Sequence, residues 1–162
     1  MREILTRSAD ETARAGRLLA EYLRSNDVVV LTGDLGAGKT ALTQGVARGL
    51  GVEAAVVSPT FNIVVAHRGS ITLYHLDLYR LERPDELEDI DFFGTLEAGG
   101  VSIVEWGDRF PSALPSDRLD VSLRITGDFE RRIEPAGTGP RGRELAEEWL
   151  DAWDGHMRGD PA

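Results

Sequence analysis

The chain has no cysteine among its 162 residues, so it carries no disulfide framework, no thiolate metal site and no thiol nucleophile. It also lacks long apolar runs. Stretches such as Val28 to Leu31 and Ile63 to Ala66 stop at four residues, far below the ~18 that a membrane span needs. The first residues contain no apolar signal-peptide core, and the expected location is the cytoplasm, with no membrane association. Positive charge is scarce too: 18 Lys and Arg against 28 Asp and Glu leave a net −10, which gives no general attraction for nucleic-acid phosphates or anionic lipid. A stand-alone DNA or RNA binder is not expected. Scarcest of all is lysine, since Lys39 is the only one and every other basic residue is Arg. Such an exception marks a position where a compact ammonium is needed and a planar guanidinium would not fit.

What is present is an ordinary globular composition, 41% hydrophobic and 28% charged, unlike that of disordered or fibrous chains. The length predicts a single domain over residues 1–154, with a small polar and mobile tail over 155–162. Strands and helices alternate along it. A short strand over Glu3 to Leu5 leads to Ser8-Ala9-Asp10-Glu11, whose S-x-x-E spacing lets Ser8 and Glu11 satisfy each other's free backbone N–H groups at a helix start. Ala15, Leu18, Leu19, Tyr22 and Leu23 give that helix its apolar face. Val28 to Leu31 is a β-branched run of the kind covered on both faces in a parallel sheet. Gly33 to Gly38 is a glycine loop, and a helix follows over Lys39 to Leu50, ended by Gly51. Phe61 to His67 and Ser70 to Leu76 predict a hairpin around Arg68-Gly69. Pro84-Asp85-Glu86-Leu87 reads as a helix start, Val101 to Glu105 as a short buried strand, and Leu119 to Thr126 with Phe129 to Glu134 as a late hairpin. Arg143 to Trp153 is a last amphipathic helix, with Leu145, Trp149, Leu150 and Trp153 on one face that is expected to pack on the sheet, a partner surface being the alternative. The expected fold is α/β: a P-loop NTPase-like three-layer sandwich with a mixed, partly parallel sheet.

Gly33-Asp34-Leu35-Gly36-Ala37-Gly38-Lys39-Thr40 fits G-x-x-x-x-G-K-[ST] and lies between a buried strand and a helix, where the mechanism of that motif requires it. Its glycines let successive N–H groups converge into a nest at the positive end of a helix dipole, a cradle for the β-phosphate of a nucleotide. Lys39 then reaches the β- and γ-phosphate oxygens as a point charge, and the Thr40 hydroxyl coordinates magnesium. Carboxylates are needed at the carboxyl ends of neighbouring strands, and Asp77 and Glu105 each close an apolar run in that way. Either can hold the metal or its waters; the structural alternative for each is a helix cap or an ion pair with Arg80 or Arg109. Ser58-Pro59-Thr60 precedes a strand and reads either as a switch-like loop presenting Thr60 to the γ-phosphate or its metal, or as a plain proline turn. Trp106 offers a ring to stack on a base or partner, with core packing as the alternative. His67, His75 and His156 lack metal-ligand spacing and receive no role. A guanine-reading N-K-x-D segment cannot exist in a chain whose one lysine is Lys39, so ATP is the expected nucleotide and hydrolysis the expected reaction. A P-loop kinase of a small metabolite and a non-catalytic, nucleotide-gated assembly factor are the alternatives.

Four segments taken together, Gly33 to Thr40, Ser58-Pro59-Thr60-Phe61, His75-Leu76-Asp77-Leu78-Tyr79-Arg80-Leu81 and Val104-Glu105-Trp106, resemble in order and spacing the TsaE (YjeE) family, over about Ser8 to Ile125. The HLDLYRL and VEW segments are the specific ones. The resemblance implies a small cytoplasmic ATPase of bacterial tRNA threonylcarbamoyladenosine synthesis, weak alone. It would work with the TsaB and TsaD proteins, which transfer a threonylcarbamoyl group to the adenosine beside the anticodon, and meet tRNA only through that complex. It implies a nucleotide site of Gly33 to Thr40 and Ala41 with Trp106, and a Walker B-like Asp77. Glu105 would be a magnesium ligand or the group that orients the attacking water. Lys39, Glu105 and the switch-like Thr60 would carry catalysis, and Thr12 would touch the nucleoside. After about Thr126 the chain departs from the family's pattern.

Overall fold

The structure is a computed structural model that describes residues 2–53, 56 and 62–159. These residues form a seven-stranded mixed sheet in the order β1-β7-β6-β2-β5-β4-β3, with strands β1 (Ile4–Thr6), β2 (Val28–Gly33), β3 (Val64–His67), β4 (Leu73–Asp77), β5 (Val101–Glu105), β6 (Arg118–Ile125) and β7 (Arg131–Thr138). The central block β6-β2-β5-β4 is parallel, and β1, β7 and β3 add antiparallel edges. Its helices are α1 (Ala9–Ala20), α2 (Lys39–Gly49), α3 (Glu86–Asp89), α4 (Phe92–Leu96) and α5 (Gly139–Met157).

β2 shows why the expected sandwich forms. Its side chains alternate, so Val29 and Leu31 enter the core beneath α1, α2 and α5, while Val28 and Val30 enter a second core with Leu87, Phe92 and Phe110. Both faces being apolar, the strand reads as an uninterrupted hydrophobic run. On the first face α1 and α2 nearly touch: a Cβ on Gly45 would lie 1.9 Å from the Ala13 carbonyl oxygen, and one on Gly16 would lie 2.2 Å from that of Leu42. α5 docks on the same face through the fully buried Trp149, whose indole N–H donates to the Ala15 carbonyl at 2.8 Å, with Leu145, Leu150 and Trp153 beside it. Its N-terminal turn is pinned by Arg141, which grips Asp27 through two hydrogen bonds of 3.0 and 2.8 Å.

Several local expectations shift, each for a tertiary reason. Ser8 caps α1 by accepting from Glu11 N at 3.0 Å, but the Glu11 carboxylate reaches back past Ser8 and accepts from Arg7 N at 2.6 Å. The β3–β4 connection spans residues 68–72 instead of a two-residue turn, because Ser70 donates from its backbone and its hydroxyl to the Leu50 carbonyl at the end of α2. β7 continues through Pro135 to Thr138: past Ile133 it has no β1 partner and is an edge, where proline is tolerated. α5 consequently begins at Gly139 and runs on to Met157, beyond the expected domain end at Asp154. The helix start at Pro84 resolves into two short helices broken at Asp91, whose φ is 52°.

Candidate functional site

Four parallel strands end on one edge of the sheet, and the loop from β2 into α2 rises there. Gly36 and Gly38 have φ of 82° and 104°, conformations that side chains with a Cβ rarely adopt and that turn the backbone through the loop. The loop is tied by Ala37 N donating to the Asp34 carbonyl, and Ala37 is buried while Asp34, Leu35 and Gly36 are exposed. No side chain caps α2, and its first turn holds no acid. The positive end of its dipole therefore has no acidic side chain in the first turn to offset it, a condition that favours an anion at a helix start. Arg131, which the sequence reading passed over, braces this loop: its Nε donates to the Gly36 carbonyl at 3.3 Å and its Nη1 to the Gly127 and Glu130 carbonyls.

Lys39, on the first turn of α2, lies in the mouth of the site. Its Nζ is 3.7 Å from Glu105 Oε1 and 5.3 Å from the centre of the Trp106 ring. Glu105 ends β5 directly beside Asp77 at the end of β4, the two being register partners. The strand ends thus bring together the three charged groups that the motif predicted. Burial pushes the Glu105 carboxyl up, but the hydrogen bond from His75 and the electrostatic attraction of His75 and Lys39 outweigh it and hold the group below its ordinary value. Burial raises Asp77 instead; the Tyr79 N–H bonded at 3.0 Å opposes that rise, and the charge of Glu105 adds to it. Arg109 is no partner for Glu105, since it donates to the Tyr79 and Leu81 carbonyls.

Trp106 is at the rim and not in the core, 38% exposed, with φ of 62°. Its ring lies 5.0 Å from that of Tyr79. Thr12 is buried beneath Gly38, its hydroxyl donating to the Ser8 carbonyl and pairing with the Thr6 hydroxyl at 2.7 Å. Thr40 and Ala41 lie on the first turn of α2, Thr40 exposed. Thr60, with Ser58, Pro59 and Phe61, lies outside the described residues. His75, given no role from the sequence, is buried with its Nε2 2.7 Å from Glu105 Oε2; no local signal marks it, because the contact spans two strands.

The donor set suits magnesium held partly by phosphate. Among the described residues no three His, Cys, Asp or Glu side chains cluster as a complete metal cage. A hydroxyl and one or two carboxylates beside an open helix start are what a metal sharing its shell with nucleotide phosphates and waters requires. No helix among the described residues is long and apolar enough to cross a membrane.

Fold and site together define an α/β protein of P-loop type. The family model described as threonylcarbamoyl adenosine biosynthesis protein TsaE matches residues 6–133, and the chain belongs to the TsaE family. Proteins named tRNA threonylcarbamoyladenosine biosynthesis protein TsaE are 41% identical in Treponema pallidum, over 82% of this chain and 98% of that one, and 41% identical in Bacillus subtilis, over 88% and 90%. One from Streptomyces coelicolor is 44% identical over 78% of this chain and 90% of its own. The crystal structure of Bacillus subtilis YdiB superposes with a TM-score of 0.75 at 34% identity, covering 94% of this chain and 95% of that one. The pathway is therefore tRNA threonylcarbamoyladenosine biosynthesis.

Proposed function

We propose that the chain binds ATP with magnesium at the β2–α2 loop and hydrolyses it slowly, in the service of a TsaB–TsaD complex that performs the threonylcarbamoyl transfer. The observation that carries this reading is the placement of Lys39 at an uncapped helix start, 3.7 Å from Glu105. In this arrangement Lys39 has a ring and a carboxylate 3.7 Å away as neighbours, and phosphate oxygens arriving within hydrogen-bond distance would draw its ammonium to them. Its move to them frees Glu105 Oε1 to accept from a water. The backbone N–H groups of the loop hold the β-phosphate, Arg131 keeps the loop in shape, and the Thr40 hydroxyl with Asp77 or Glu105 would hold the metal. Bound magnesium supplies neutralisation of charge on the phosphate oxygens. Trp106 and Tyr79 wall the mouth on one side.

The test is phosphate release from ATP and magnesium by the protein alone and with TsaB, TsaD and tRNA, using Lys39→Ala as the control. The expected result is slow release that changes when the partners are added and disappears in the variant. Release indifferent to the partners would detach the site from the pathway, and release that required a small acceptor molecule would make it a kinase.

A further inference from the structure

His75 lies at the middle of β4, paired to Ile103 of β5 and Val65 of β3, and is 1% exposed. It cannot reach a ligand in the mouth of the site. What it does reach is Glu105, through an Nε2 to Oε2 contact of 2.7 Å. An ionised carboxylate only accepts hydrogen bonds, so Nε2 carries the hydrogen and donates. The other ring nitrogen, Nδ1, is buried without a hydrogen-bond partner. Among the described residues the ring thus has one polar contact, and that contact is with Glu105.

The two oxygens of Glu105 have different neighbours. Oε2 is held from inside the sheet by His75, and Oε1 faces Lys39 at 3.7 Å, whose side chain is 14% exposed. Of these two contacts only the first can persist when phosphate draws Lys39 away, because His75 is fixed on a central strand and Lys39 ends a long flexible side chain. We propose that His75 is the positioning residue for Glu105: it fixes the carboxylate by one oxygen, so that the other, once Lys39 has left, is already aimed at a water or metal. The inference rests on the ATPase reading above and adds to it the device that keeps Glu105 aligned during turnover. A carboxylate held by one oxygen has lost the rotations that would otherwise misplace it, and misplacement of a catalytic group by about 1 Å costs on the order of 100-fold in rate.

The test compares three substitutions in the full chain. His75→Leu keeps the volume without a donor. His75→Gln places an amide N–H near the position of Nε2. His75→Asn is polar but too short to reach Glu105 Oε2. Thermal unfolding reports whether each folds, and if His75→Leu does not, the Gln and Asn pair decides alone. The expectation for His75→Leu and His75→Asn is a fall in kcat of about 100-fold with KM for ATP within about twofold. His75→Gln should recover at least about tenfold of the loss. On a Glu105→Gln background, His75→Leu should cost nothing further. A readout without turnover accompanies these: affinity for ADP should be unchanged in His75→Leu, while the gain in affinity on adding aluminium fluoride, a mimic of the transferring phosphoryl group, should vanish and return in His75→Gln. Wild-type rates in His75→Leu and His75→Asn would overturn the positioning role, as would equal losses in Gln, Leu and Asn. A wild type with no Lys39-dependent phosphate release would instead overturn the ATPase reading, and the inference with it.

Discussion

At the scale of single residues the site is a problem of buried charge. Glu105 is 6% exposed and would be costly to ionise there without partners; His75 and Lys39 supply them. Because its folded value is depressed below the ordinary 4.5, Glu105 contributes stability that is fully present above 4.5 and is lost as pH falls through the folded value. The destabilisation caused by Glu105→Gln, measured by urea unfolding, should therefore be largest near about pH 7 and shrink towards zero as pH falls below 4.5. A difference that grew on acidification would contradict this electrostatic account. The β2–α2 loop was legible from sequence because its pattern is local: glycines at fixed spacing before a helix state the backbone shape that Gly36 and Gly38 adopt. His75 and Arg131 were not, since each acts on a residue far along the chain.

At the scale of elements, α2 begins at the site and is pressed against α1 along its middle. Gly45 allows that approach. Gly45→Ala should destabilise the protein by about 1 to 3 kcal/mol, the usual range for overpacking, even though alanine is the better helix former. Chemical denaturation measures this, and a neutral or stabilising outcome would mean that the helices are less tightly seated than described. Element types were readable wherever one period dominated, as in β2 and α1. They were least readable where a neighbour decided the outcome: Leu50 draws the β3–β4 connection wide, and the open edge beyond Ile133 lets β7 run through Pro135.

At the scale of the whole molecule the sheet order is what makes a site of the parts. Alternating strands and helices announced a mixed sheet, yet nothing in the pattern stated that β5 would lie between β2 and β4 and set Glu105 beside both Asp77 and Lys39. That adjacency is a product of the completed topology, in which ligands gather outside the carboxyl ends of parallel strands. A molecule with net charge −10 also has little field to draw an anion such as ATP, so the proposed nucleotide site depends on the local nest and on Lys39. The most direct measurement is calorimetric titration of ATP with magnesium into the wild type and Lys39→Ala, with thermal unfolding of both. The account predicts saturable binding by the wild type and a loss of at least about tenfold in affinity in a variant that unfolds at a similar temperature. Equal affinity in the two proteins would contradict it.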